Sequence, residues 1–329
     1  MKLNLRNIVV PLGALSLAFA MGGCASTTDA NGGEDAPLSM TLIQGIKGDE
    51  FYIAVACGAQ EKADELGITL NVQAGEKWDA TIQTPILNAA IASAPDAILI
   101  ASNDTQGMIP TFKQAIEQGI KLVAFDQIVV EDGIMDAQVA SDSVEGGKLG
   151  AQELVRQMGE TGKVLVVSLT PAIPGGEQRS QGFEDEIKAN HPGITLLERQ
   201  YSNNDPVKAA SIVSATLAEH PDLTGVFAVN LMSGDGAATA LKSAGLTGKV
   251  TLVAADASPG QVKALEDGLV QALIAQKPFE EGVVAVQQAY NAITGAPVDK
   301  MTTTGWVVVN KDNIGDPEVS KYLYKSDCS

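Results

Sequence analysis

Two doubly wound parallel-sheet lobes, an α/β fold, are what this chain of 329 residues predicts. Three observations carry that expectation. From Met40 onward, short apolar runs alternate with longer stretches of helical period, which implies parallel sheets with helices on both faces. About ten such units are too many for one compact sheet of this type and suit two. Hydrophobic residues make up 45% of the chain, enough for a large core.

The chain opens outside that fold. Lys2 and Arg6 charge the start, and Ile8 to Ala20 is then apolar or small, a stretch too short to span a bilayer comfortably. MGGC follows, ending in Cys24. It resembles a bacterial lipobox, in which the cysteine is lipidated and becomes the new N-terminus; the usual motif has Leu where Met21 stands. Residues 1–23 are therefore expected to be a lipoprotein signal peptide. Residues 24–38, small and polar, are expected to be a flexible tether. The plainer alternative is an ordinary signal peptide with Cys24 a bystander.

Strands are read in MTLIQ, TLNVQA, AILIA, LVAF, VLVVS, TLLERQY, GVFAV, VTLVAA and QALIAQ, with GWVVVN the last strand-like run. Between them ACGAQEKADEL, PTFKQAIEQ, EGGKLGAQELVRQM, DPVKAASIVSATLAE and PGQVKALED read as amphipathic helices. Right-handed crossovers follow from strand twist. Open sheets of this kind bind ligands beyond the carboxyl ends of their strands. The residues standing there are Lys47, Asp49, Phe51 and Tyr52; Ser102, Asn103 and Asp104; Asp126 and Gln127; Arg179; Asn230; Asp256; and Gln276. Carboxylates, amides and a guanidinium make directional hydrogen bonds to hydroxyls, and two adjacent rings offer a flat face for the C–H side of a sugar or cyclic polyol. Each Asp or Asn taken alone is equally an ordinary helix cap, while for Phe51 and Tyr52 the ligand platform is the better reading and the buried side of a first helical turn the alternative. Trp78 reads better as a surface residue at the next helix start than as a wall of the site.

The chain resembles the periplasmic sugar-binding proteins of the ribose-binding type, type I periplasmic binding proteins that feed ATP-driven (ABC) importers. The resemblance rests on EFYIAVACGAQEKADELG, PDAILIASNDTQGMIPTFKQAIEQGIKLVAFDQ, ASDSVEGGKLGAQELV, GGEQRSQGFEDEIK, HPDLTGVFAVN, LVAADASPGQVKALEDG and QALIAQKPFEEG, which together span most of the chain after the tether. It implies that Phe51 and Tyr52 pack on a sugar ring. It implies that Asp49 or Lys47, Asp126, Arg179, Asn230, Asp256 and Gln276 meet its hydroxyls, and Asn103 joins them as a candidate from its strand-end position. Two positions depart: Gln127 stands where the family usually has Arg, and Leu231 follows Asn230 where it usually has Asp. The resemblance also implies two lobes joined by a three-stranded hinge, with crossings near Ser141, Gln276 and Met301. The lobes are then 39–140 plus 277–301, and 141–276 plus 302–329. A membrane permease of an ABC importer is the implied partner; the chain itself is expected to be a monomer.

Other classes fit less well. Lys and Arg total 22 against 40 Asp and Glu, a formal charge of −18, so no basic footprint for nucleic acid exists. A transcription regulator of this fold needs a basic helix-turn-helix head where an export signal stands. The two histidines, His191 and His220, both precede proline at expected helix ends, and no zinc, P-loop, dinucleotide or GxSxG motif is present. No catalysis, cofactor or metal is expected. A receptor of the same scaffold for an amino acid or quorum signal stays open, because Arg179 also suits a carboxylate.

Export leaves Cys57 and Cys328 as a candidate disulfide, since oxidation is then permitted and the residues after GWVVVN reach far enough. Two unrelated thiols are the alternative.

Overall fold

The computed structural model describes residues 37–171 and 173–328. The expected signal peptide, most of the tether and Cys24 lie outside the described residues. The chain first runs β1 (Ser39–Gln44), α1 (Glu50–Leu66), β2 (Thr69–Ala74), α2 (Ala80–Ala92), β3 (Ala97–Ile100), α3 (Ile109–Glu117), β4 (Lys121–Phe125) and β5 (Ala137–Ser141). It continues α4 (Ser143–Met158), β6 (Gly162–Ser168), α5 (Pro174–Asn190), β7 (Ile194–Leu196), β8 (Gln200–Tyr201), α6 (Pro206–Glu219), β9 (Leu223–Ala228), α7 (Leu231–Ser243), β10 (Thr251–Ala255), α8 (Pro259–Glu266) and β11 (Ala272–Ala275). It ends with α9 (Pro278–Thr294), β12 (Met301–Thr304), β13 (Val307–Asn310) and α10 (Pro317–Ser320).

Two sheets result. The first has the order β12-β5-β4-β3-β1-β2, all parallel. The second has the order β13-β11-β10-β9-β6-β7, with β8 also on β6 and β13 antiparallel to β11. Strand order reverses between β1 and β3 in the first sheet and between β6 and β9 in the second. Such switch points open crevices at the carboxyl ends of the strands.

The apolar runs divide between the two faces of the first sheet. Met40, Leu42, Leu99, Val123 and Phe125 pack with Val55, Ala59 and Ala285 of α1 and α9. Ile43, Ile98, Ile100, Leu122 and Ala124 pack with Leu87, Phe112 and Ala115 of α2 and α3. Period-2 alternation thus serves two cores, and the strand reads as uniformly apolar. Gly58 lets α1 and α9 touch: a Cβ there would stand 2.0 Å from the Phe279 carbonyl oxygen.

Three differences from the sequence reading are physical. TLLERQY divides into β7 and β8 because Arg199 leaves the strand line to pair with Glu177 (2.9 Å) and Glu184 (2.8 Å) of α5. AQVAS and MTTT form β5 and β12 although neither is a strong apolar run; their strand character comes from pairing with each other and with β4. Met301, the expected third crossing, opens β12 of the first sheet, and the chain leaves that sheet only at Gly305 and Trp306.

The crossings are tied together. Ser141 Oγ and Thr304 Oγ1 both donate to Glu281 Oε1, at 2.7 and 3.1 Å. The Trp306 indole N–H donates to the Asp142 carbonyl (2.6 Å). Glu281 is fully buried, and burial first, then the charge of Asp126, pushes its carboxyl up to about 8.

Candidate functional site

Between the lobes lies a cavity to which both switch points contribute. From the first lobe it is lined by Asp49, Phe51, Tyr52, Trp78, Asp126, Gln127 and Ser141, and from the second chiefly by Arg179, Asn204, Asn230, Asp256 and Gln276.

Asp49 ends the β1–α1 loop and caps α1, accepting from the Phe51 N–H (2.9 Å). That cap fixes the first turn, so the rings of Phe51 and Tyr52 meet edge to face at 5.1 Å. Both are more enclosed than a simple platform would be, 5% and 3% exposed, and each also belongs to the first-lobe core. The Tyr52 hydroxyl donates to Asp126 Oδ2, and Gln127 Nε2 donates to the same oxygen (2.9 Å). Trp78 lies 28° from parallel to the Tyr52 ring, centroids 6.1 Å apart. It lines the cavity, contrary to the surface placement its sequence suggested. Space for this stack comes from Gly45 at the end of β1, where a Cβ would lie 2.3 Å from Trp78 and 2.5 Å from the Tyr52 hydroxyl.

The second lobe answers with Arg179 from the first turns of α5. Its Nη1 donates to the Val229 carbonyl, and its guanidinium lies over the Trp306 ring, 4.4 Å from the centroid. Asn230 caps α7, accepts from Ser233 Oγ (2.6 Å) and donates to Asn204 Oδ1 (2.7 Å). Cap and cavity wall are therefore the same residue at both Asp49 and Asn230, not alternatives. Asp256 is held most fully. Its Oδ2 accepts from the Leu231 N–H (2.7 Å), and its Oδ1 accepts from Gln276 Nε2 (2.7 Å) and the Tyr324 hydroxyl (3.0 Å).

Asp126 and Asp256 share one backbone property. Each follows a central strand with φ in the left-handed region, +59° and +76°. This conformation costs a non-glycine residue roughly 1–3 kcal/mol and collects at functional positions, and Asp tolerates it better than most. In both cases it turns a carboxylate toward the cleft at the point where the strand ends.

The electrostatics are those of buried groups. Burial, then the charge of Asp256, pushes the Asp49 carboxyl up to about 7. Burial also raises Asp126, against the pull of its hydrogen bonds from Tyr52 and Gln127. Burial lowers Arg179, whose charge Asp256 and Asp126 favour from opposite lobes. Gln127 Oε1 and Arg179 Nε are buried without a hydrogen-bond partner among the described residues.

Two expected contact residues stand elsewhere. Lys47 points outward and pairs with Glu76 at 2.7 Å, because its own N–H binds the Gly75 carbonyl and turns the loop toward solvent. Asn103 does not line the cavity; its N–H is taken by Gln83 Oε1 (2.8 Å), which holds that loop under α2. Among the described residues no group of three His, Cys, Asp or Glu could hold a metal ion, and no helix is long and apolar enough to cross a membrane. Sequence reasoning missed Asn204, which lines the cavity and bonds Asn230, and Tyr324, which bonds Asp256 from behind it; the tail around Tyr324 carries no period to announce a buried position. Cys57 and Cys328 are joined in a disulfide, with Cα atoms 5.3 Å apart.

Two doubly wound lobes, three crossings and a cleft lined from both sides make a two-lobed frame around one cavity. The profile of the periplasmic binding protein domain matches residues 41–297, and the chain belongs to that family. The ribose import binding protein of Escherichia coli is 25% identical over 296 residues, covering 90% of this chain and 95% of the relative. An ABC transporter solute-binding protein from Agrobacterium vitis, solved with α-D-tagatopyranose, is 38% identical with a TM-score of 0.84, covering 88% of this chain and 99% of that one. A second from the same species, solved with D-fucose, is 28% identical with a TM-score of 0.82, covering 87% and 100%. The relatives are binding proteins of import systems, and the family resemblance seen in the strand-end motifs is the correct one.

Proposed function

We propose that this protein is the lipid-anchored, extracytoplasmic receptor of an ABC importer, and that one neutral monosaccharide or sugar alcohol binds between its lobes. The observation that carries the reading is the composition of the cavity. It pairs stacked rings with a partnerless buried acceptor, Gln127 Oε1, from one lobe and a partnerless buried donor, Arg179 Nε, from the other. A polyhydroxylated ring supplies both kinds of partner and presents a C–H face to Phe51, Tyr52 or Trp78. Because the polar groups come from both lobes, closure about the hinge completes the site.

The charge balance favours a neutral ligand. Asp49, Asp126 and Asp256 line the cavity against the single cation Arg179, whose Nη1 is already engaged by Val229. A ligand carboxylate would find no cation to spare, because Asp256 and Asp126 already face Arg179. The names of the relatives support the same class. Lipid anchoring rests on MGGC before Cys24, and a membrane permease is the partner that the family's role requires. The receptor works as a monomer in this reading. A thermal-shift screen of sugars and polyols against amino acids tests it, with calorimetry on the compounds that stabilise. Stabilisation by sugars alone is expected; stabilisation by amino acids alone would overturn it.

A further inference from the structure

After β13 the chain carries on past the last sheet. Among residues 311–328 the only buried one is Tyr324, 4% exposed. Its N–H donates to the Ala257 carbonyl (2.9 Å). Its hydroxyl accepts from the Gln276 N–H (3.1 Å) and donates to Asp256 Oδ1 (3.0 Å), the same oxygen that Gln276 Nε2 reaches. The phenol thus closes a three-membered network behind two cavity residues without lining the cavity itself. Its ring also meets the edge of Phe51, 6.1 Å away and 67° inclined, so one tail residue touches the polar wall of the second lobe and the aromatic wall of the first. Four residues on, Cys328 is bonded to Cys57 of the helix that carries Phe51.

We propose that Tyr324 is a positioning residue for the ligand site. It holds Asp256 and Gln276 in register from behind, and the Cys57–Cys328 disulfide keeps it there. The proposal rests on the reading that the cleft binds a sugar. A carboxylate oriented by three donors needs no reorganisation when a hydroxyl arrives, and preorganised partners bind more tightly than mobile ones. A chain end frays unless it is tied down. Here Ile314, Val319 and Leu323 pack half-buried against the core, Tyr324 is the buried anchor, and the disulfide ties the residues after it to α1.

Tyr324→Phe keeps the ring and removes only the hydroxyl. Titration calorimetry with D-tagatose, D-fucose, D-arabinose, D-allose and D-ribose, each in turn, should show roughly a tenfold weaker Kd for the sugars that wild type binds, since a hydrogen bond to a charged group is lost. Hydrogen exchange of the Gln276 amide should quicken in the same variant. Paired Cys57→Ser and Cys328→Ser should weaken binding comparably, and adding Tyr324→Phe should then weaken it little further. If the serine pair does not fold, wild type reduced with dithiothreitol takes its place. Non-additivity is the readout that separates positioning from general stability. Wild-type affinity and wild-type Gln276 exchange in Tyr324→Phe would overturn the proposal, and fully additive losses would overturn the role of the disulfide. If wild type binds none of the five sugars, the proposed function falls instead. Gln276 exchange then decides the positioning: faster in both variants supports it, unchanged in both overturns it.

Discussion

Asp256→Asn is the most telling single substitution, because it keeps size and shape while breaking a fully assigned set of contacts. The carboxylate accepts from Leu231 N–H on one oxygen and from Gln276 Nε2 and the Tyr324 hydroxyl on the other. An asparagine has only one acceptor oxygen. If that oxygen faces Gln276 and Tyr324, its amino group confronts the Leu231 N–H, donor against donor. If it faces Leu231, two donors are left opposed. Either way at least one buried donor goes unpaired, at roughly 1–3 kcal/mol. The backbone offers no compensating penalty or relief, because asparagine accepts φ +76° as readily as aspartate does. Arg179 also loses a favourable charge across the cavity. The variant should therefore fold, lose about 1–3 kcal/mol in denaturant unfolding of the ligand-free protein, and bind its sugar at least about tenfold more weakly by calorimetry. Unchanged stability together with unchanged affinity would refute both the hydrogen-bond assignment and the place of Asp256 in the site.

Phe51→Ala should cost about 3–5 kcal/mol of stability as well as affinity, because the ring is core and cavity wall at once; loss of affinity with no change in unfolding would contradict that double role. Gly45→Ala should abolish sugar binding in a chain that still folds, since its Cβ would collide with Trp78 and Tyr52; normal calorimetry would contradict it. Ligand-induced changes in tryptophan emission should disappear in Trp78→Phe, and their persistence would move the signal to Trp306. Glu281 titrates higher in the folded chain than its ordinary 4.5, so the folded state holds its proton more tightly. Its contribution is complete below pH 4.5 and is lost as pH rises through about 8. Glu281→Gln should remove that part of the decline between those values in denaturant titrations at a series of pH values; curves of the same slope would refute it.

Most of the strands, their predominantly parallel pairing and the family were legible in the sequence because each rests on a local signal. Runs such as AILI and KLVAF announce doubly covered strands, and the chain just past several of them reaches the cleft, as Asp126 and Gln127 do after KLVAF. Asp126, Arg179, Asn230, Asp256 and Gln276 were found that way, and all five line the cavity. β5 and β12 were not legible, because Ala137–Ser141 and Met301–Thr304 become strands through neighbours distant in sequence. Lys47 and Asn103 show the limit of a strand-end rule: it fixes where the backbone goes, while a partner such as Glu76 or Gln83 decides where the loop faces. Trp78 and Tyr324 lie beyond any local rule. Trp78 reaches the cleft because Gly45 leaves room for it, and Tyr324 reaches Asp256 from 68 residues away. Sequence periodicity reports which side of an element is buried; which distant side chain completes a hydrogen bond there is decided only when the lobes and the tail pack together.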